Sequence, residues 1–312
     1  MLDMLATVRT WFSRPAGLPP LPEPTLAEAL ALTLPPEMAQ ARTRRTSEVW
    51  PPQRLAIAEL LWGEGFIGPG GAEEVLRLAR PLGGSSATSL LLLGGGSGGP
   101  PRALADGMGM WVHAVEADPA LAAAATARCA QGGSARRISV AGWMPDDPSF
   151  RPRAYHHAIA IEPLRGAAPV PVLTALAEAL RPGGHVMLTE LVADLPLPID
   201  DRAASVWAQR EGRTTLDVPG ERDITRALGR LGFDVRVTED LTARHVHLAL
   251  LGWRVLVRTL ARDRPSAAHA AWIVHEAELW MHRIALLRAG RLRLLRWHAI
   301  AGRPPAAASA EA

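Results

Sequence analysis

The sequence predicts an α/β protein: a doubly wound, mostly parallel seven-stranded sheet with an N-terminal helical appendage and a helical cover. Three observations predict it. Short apolar runs alternate with helical stretches at the spacing of βαβ units. A glycine-rich loop, Gly94-Gly-Gly-Ser-Gly-Gly99, follows one such run and opens a helix. An acid, Glu116, ends the next run about 20 residues further on.

The elements follow in order. Residues 1–48 form the appendage, an amphipathic stretch (Leu2, Leu5, Val8, Trp11, Phe12) running into the proline-rich linker Pro15–Pro24. Thr25 and Glu28 have capping-box spacing for a short helix to Leu34. Residues 49–303 form the main domain. Gln53–Trp62 reads as helix, Gly63–Gly71 as a glycine-rich loop and Ala72–Leu82 as helix. Ser89–Leu93 is too short and too uniformly apolar for a surface helix, and reads as a buried strand. Pro100-Pro101 opens a helix where a missing N–H costs nothing. Strands are expected at Trp111–Val115, Ile138–Val140, Ala158–Ile161, His185–Leu191, Phe233–Val237 and Arg291–Ile300. Helices are expected at Pro119–Ala130, Val170–Leu180 and Asp223–Leu231. Arg181-Pro-Gly-Gly184 reads as a sharp turn. Residues 241–290 read as a two-helix insert before the last strand, which is expected to form an antiparallel edge. Residues 304–312 read as a disordered Pro/Ala tail.

Composition narrows the function classes. Hydrophobic residues make up 48% and charged residues 21% of 312, the balance of a globular chain and not of a disordered one. No apolar run spans a bilayer, and the start lacks a secretory pattern, so a cytoplasmic protein is expected. The lone Cys129 excludes an internal disulfide framework and a cysteine-rich zinc site. Every basic residue is Arg. Residues 1–240 carry 23 Arg against 27 acids, whereas residues 241–303 carry 11 against 3. A basic quarter of that kind suits an anionic substrate or partner, or simply a solvated helical face. His156-His157 and His245-x-His247 lack a third ligand at metal spacing, so no metal is expected, and no RNA-binding signature is present.

The glycine loop carries the chemistry. Without Cβ atoms, a ligand can approach the backbone of Gly94, Gly96 and Gly98 closely. The spacing fits both a dinucleotide fingerprint and a loop that receives S-adenosylmethionine. Glu116 at the next strand end can accept both hydroxyls of a ribose, a charge-assisted contact of roughly 1.5–3 kcal/mol. The loop's late position, the Gly183-Gly184 turn and the closing Gly232-Phe-Asp-Val run favour the methyl donor over a nicotinamide.

In this order of motifs, residues 85–240 resemble class I S-adenosylmethionine-dependent methyltransferases: the glycine loop, Glu116-Ala-Asp-Pro119, Leu180-Arg-Pro-Gly-Gly184 and Leu231-Gly-Phe233. Gly63–Gly71 and Thr238–Thr242 are similar to phosphoethanolamine N-methyltransferases and related small-molecule enzymes. The resemblance implies S-adenosylmethionine as cofactor and a small-molecule acceptor. It implies that Gly94, Gly96 and Gly98 pass the methionine moiety, Glu116 holds the ribose, and Ala117 lies by the adenine. Trp143 would stack on that base, Phe66, Ile67 and Gly68 would close over the donor, and Glu162 would face the reacting methyl group as a base or an anionic contact.

The chain departs from the family at several positions. Leu92 stands where an acid is usual before the loop, and Trp143 where an acid is frequent near the adenine amine. Tyr155-His156-His157 replaces a common Asp, Gly68 and Pro69 replace hydroxyl residues, and Tyr155 is the chain's one tyrosine. Two further classes therefore stand beside methyl transfer: a non-catalytic binding or scaffold protein on the same fold, and a nicotinamide-dependent oxidoreductase.

Overall fold

A computed structural model describes Thr10, Phe12 and residues 49–165, 167–213, 215–262 and 265–302. The expected helix from Thr25 and the tail from 304 lie outside the described residues. Phe12 is fully buried and stacks on Trp253 with ring centroids 4.4 Å apart, as part of the main core.

Seven strands form one sheet: β1 (Ser89–Leu93), β2 (Trp111–Glu116), β3 (Ile138–Gly142), β4 (Tyr155–Ile161), β5 (Leu180–Val192), β6 (Phe233–Asp240) and β7 (Arg293–Ala301). Their order is β3-β2-β1-β4-β5-β7-β6. The first five run parallel, and β7 is antiparallel to both neighbours. The last strand is thus antiparallel as expected but not an edge. It inserts between β5 and β6, and β6 takes the edge.

Alternation along β1 explains its run of leucines. Leu90 and Leu92 enter the core on one face, Leu91 and Leu93 the core on the other, and all four are fully buried. Leu92, the position of the missing acid, is therefore a packing residue. Helices cover both faces: α1 (Pro52–Trp62), α2 (Gly71–Ala79), α3 (Gly99–Met108), α4 (Pro119–Cys129), α5 (Pro169–Ala179), α6 (Arg202–Glu211), α7 (Glu221–Arg230), α8 (Thr242–Leu260) and α9 (Ala267–Arg288). The helical insert is α8 and α9. Trp253 and Trp280 on it are buried, and Trp272 is partly so.

Three elements differ from expectation. The helix from Ala72 ends at Ala79, and Arg80–Leu82 tightens into a 3-10 turn because Pro81 cannot continue the ladder. The Arg181–Gly184 turn is absorbed into a long β5, where a Cβ on Gly184 would crowd the His156 carbonyl. Helix α6 falls in a stretch with no assigned element. Its N-cap Asp201 accepts from the Ala203 and Ala204 N–H groups.

Strand order reverses between β1 and β4. In open α/β sheets the crevice beyond the carboxyl ends of such a pair is where ligands bind.

Candidate functional site

Gly94 follows β1 directly, with φ +78°, and a Cβ there would collide with the Ile161 carbonyl oxygen. Gly96, at φ +56°, lies against the chain at Gly65 and Ile67, both 3.3 Å from where its Cβ would stand. Glycine at these two positions lets the loop sit in the crevice under the Gly63–Gly71 segment. Gly65 ties that segment down, its carbonyl accepting the Gly99 N–H at 2.9 Å. Glu59 accepts the Gly65 N–H at 3.2 Å and the Ser97 hydroxyl at 3.0 Å. Gly98 turns away from the crevice. Its neighbours at 3.2 Å are Ala125 and Cys129 of α4, so it serves helix packing.

Glu116 ends β2 and is buried. Its carboxylate accepts N–H groups from Gly96 at 3.0 Å, Ala117 at 2.9 Å and Asp118 at 3.4 Å. Burial raises its pKa, and Arg165 and those N–H groups only partly offset the rise. Glu116 and the glycine loop are therefore joined by a direct bond, the geometry of a strand-end acid beside a phosphate- or sugar-sized crevice.

Two cavities meet here. One, of about 190 Å³, is bordered by Glu116, Ala117, Trp143 and Asp146. The Trp143 backbone N–H donates to the Glu116 backbone carbonyl at 3.2 Å, and the indole and the Glu116 side chain both border this cavity. The other, of about 140 Å³, lies under α8 and α9 and is bordered by Phe66, Ile67, Gly68 and Gly96. Gly94, Ile161, Glu162 and Arg165 border both. Of the residues that the resemblance assigns to the site, all but Gly98 border one cavity or the other. Leu92 and His156, two of the departures from the family pattern, border neither. His156 sits at the far end of β4, with Nδ1 2.8 Å from the Ser89 hydroxyl.

Glu162 stands at the junction with φ +44°, a left-handed conformation rare for a side chain of this size. Its N–H is held by the Thr189 carbonyl at 2.8 Å. Arg283 of α9 donates to it at 2.6 Å and to Glu211 at 2.5 Å, and Glu211 also pairs with Arg213. Burial works against the Glu162 charge, but Arg283 outweighs it and holds the carboxyl below its ordinary value. Glu162 is therefore ionised at neutral pH and already neutralised by a buried cation.

Sequence reasoning missed most of this network. Glu190 is buried on β5, accepting N–H groups from Leu164 at 2.8 Å and Leu191 at 2.9 Å, and burial pushes it up to about 7. His245 on α8 is buried at the second cavity, and burial together with Arg283 pushes it down to about 3. Arg54 and Glu276 form a buried ion pair across α1 and α9 in the same wall. An acid inside an otherwise apolar strand, as at Glu190, was the one available signal. Among the described residues no helix is long and apolar enough to cross a membrane, and no group of three or more ligands is placed to hold a metal.

No protein-family model matches the chain, and no curated protein does. Solved structures do. Phosphoethanolamine N-methyltransferase 2 of Haemonchus contortus, in complex with S-adenosyl-L-methionine, aligns with a TM-score of 0.67 at 19% identity, over 80% of this chain and 57% of its own. The chain thus spans little more than half the length of that enzyme. Geranyl diphosphate C-methyltransferase of Streptomyces coelicolor A3(2), in complex with S-adenosyl-L-homocysteine, aligns at 0.57 and 14% identity, over 80% of this chain and 98% of its own. The cyclase SpnF aligns at 0.62 and 15% identity, over 80% and 92%. Identities so low establish architecture and not reaction, as a cyclase among them underlines. By topology and by these likenesses, the chain has the fold of the class I S-adenosylmethionine-dependent methyltransferases.

Proposed function

We propose that the protein is a cytoplasmic enzyme that transfers a methyl group from S-adenosylmethionine to a small-molecule acceptor. The observation that carries this reading is the bond from the Gly96 N–H to Glu116, at the meeting point of two cavities. The residues present fit the donor. Gly94 and Gly96 border the cavities, and the buried Glu116 carboxylate suits ribose hydroxyls. Ala117 and Trp143 would flank the adenine. Gly94 and Gly96 would pass the methionine portion, and Phe66, Ile67 and Gly68 would close the site between donor and acceptor.

When bound, S-adenosylmethionine supplies a methyl group on a sulfonium, which leaves by displacement without needing an acid. The chain's own contribution is then alignment and exclusion of water. Holding the acceptor in line is worth roughly 7–11 kcal/mol of barrier at best. Phe66 and Ile67 supply the dry wall. Glu162, kept ionised and neutralised by Arg283, acts as a fixed hydrogen-bond acceptor beside the acceptor nucleophile and not as a strong base.

A second reading, a binding protein on the same fold, draws on the full satisfaction of Glu116 by its own backbone. Calorimetric titration with S-adenosylmethionine, S-adenosylhomocysteine and NAD separates them. Saturable binding of the first two with a Kd near or below about 100 μM, or −5.5 kcal/mol, supports methyl transfer. Absence of heat from folded protein favours the binding protein, and heat with NAD alone an oxidoreductase.

A further inference from the structure

The second cavity carries an arginine with no direct partner in its wall. Its acids are all partnered: Glu74 by Arg77 and Arg244, Glu162 and Glu211 by Arg283, and Glu276 by Arg54. Arg165 is not. Among the described residues it has no ion pair or hydrogen bond, although its charge lowers the pKa values of Glu116 and Glu211 from a distance. It is half-buried at the junction of the two cavities, with φ +30°. An arginine placed so on a left-handed backbone presents a planar fork suited to a carboxylate or a phosphate.

Four further polar atoms of residues in the same wall lack partners: Trp50 Nε1, His245 Nε2, Trp280 Nε1 and Arg283 Nε are buried with no hydrogen bond, and His245 and Trp280 lie side by side with ring centroids 5.8 Å apart. Buried polar atoms of this kind are ordinarily satisfied, and a ligand oxygen would do so. The remaining wall is apolar, including Phe66, Ile67, Leu248 and Leu279. A cavity of about 140 Å³ encloses a body of about benzene size.

We propose that the acceptor is a small anion with an apolar body, its carboxylate or phosphate bound by Arg165 and supported by His245 and Trp280. This rests on the methyl-transfer reading for the word acceptor, but not for the binding itself. The Arg-rich insert contributes little to the recognition, since Arg283, its arginine at the cavity, is already paired.

The test titrates benzoate, phenyl phosphate and neutral benzamide into the full chain, with and without S-adenosylhomocysteine. At least one anionic probe is expected to bind ten-fold or more tightly than benzamide, and which one binds better decides between carboxylate and phosphate. Arg165→Gln should abolish the preference while S-adenosylhomocysteine still binds saturably, and Arg165→Lys should retain much of it. Equal binding of charged and neutral probes, or no binding of any, overturns the proposal. So does an Arg165→Gln variant that loses S-adenosylhomocysteine but keeps the preference, because Arg165 would then serve the donor's own carboxylate. An anion preference in a protein that binds no S-adenosylhomocysteine would remove the methyl-transfer reading and leave this one standing.

Discussion

Arg283 lies 2.6 Å from Glu162, and this buried ion pair ties the end of α9 to the turn after β4. The same guanidinium holds Glu211 at 2.5 Å. Breaking a buried pair by removing one member costs far more than the pair is worth, because the remaining charge stays buried. Arg283→Met leaves two carboxylates without this partner and should lose about 3–5 kcal/mol of stability. Urea unfolding at pH 7 measures it, and a loss under 1 kcal/mol would mean that Arg213 alone neutralises both acids.

Glu211 sets an acid limit on the fold. Burial raises its pKa, but Arg213 and then Arg283 outweigh that and hold it at about 2, against an ordinary 4.5. A depressed carboxyl contributes stability above its unfolded value and loses it as pH falls towards the folded one. Stability should therefore fall between about pH 4.5 and pH 2 by about 3 kcal/mol from this group. Glu211→Gln should flatten that window in a pH series of unfolding midpoints.

Glu190 pulls the other way. Burial, only partly offset by Arg213, raises it to about 7. Its favourable contribution is complete below about pH 4.5 and is lost as pH rises through 7, where the chain must bury a charge. Glu190→Gln should thus be more stable than the parent at pH 8, by up to about 3 kcal/mol, and near-equal at pH 4.5. A variant less stable at both values would assign Glu190 a structural role that needs its charge.

How far the sequence could be read depends on the range of the forces involved. Strand and helix order was legible because Leu90–Leu93 and the glycine loop are local signals, set by burial and by backbone sterics. Glu116 and Ala117 reach the crevice beside the loop because one βαβ unit separates β1 from β2, and Trp143 because a second separates β2 from β3. The place of β7 was not legible, since insertion between β5 and β6 is decided by pairs distant in sequence, such as Glu190 with Leu295, 105 residues apart. Nor was the ion network. Arg283 and Glu162 are 121 residues apart, and Glu211 ends a helix whose mixed composition gave no clear period. Gly98 misled for the opposite reason: it shares the motif of the loop but answers to the bulk of Cys129 behind it.

Gly94 tests whether the crevice is shaped by backbone alone. Its φ of +78° and the contact with the Ile161 carbonyl both exclude a side chain. The left-handed conformation alone costs about 1–2 kcal/mol for an L-residue. Gly94→Ala should therefore destabilise by more than that and displace Ile161 and Glu162 next to it. Gly83→Ala, with φ +62° but open space around it, is the control and should show only the backbone cost. Equal losses in the two would mean that the loop yields to the added methyl group.

Glu116 is the sharpest test of donor binding. Its carboxylate is buried, already accepts three backbone N–H groups, and has a raised pKa because burial opposes its charge. Under the proposed function the ionised form accepts ribose hydroxyls, and a charge-assisted bond of about 1.5–3 kcal/mol corresponds to roughly 10–100-fold in affinity. Glu116→Gln should weaken S-adenosylhomocysteine by that factor while the glycine loop keeps one acceptor oxygen. The parent's affinity should also fall as the pH drops below the raised pKa, because protonation turns the acceptor into a donor. The variant should lose that dependence. A variant that binds as tightly as the parent, at every pH, would show that the carboxylate serves only to close the glycine loop.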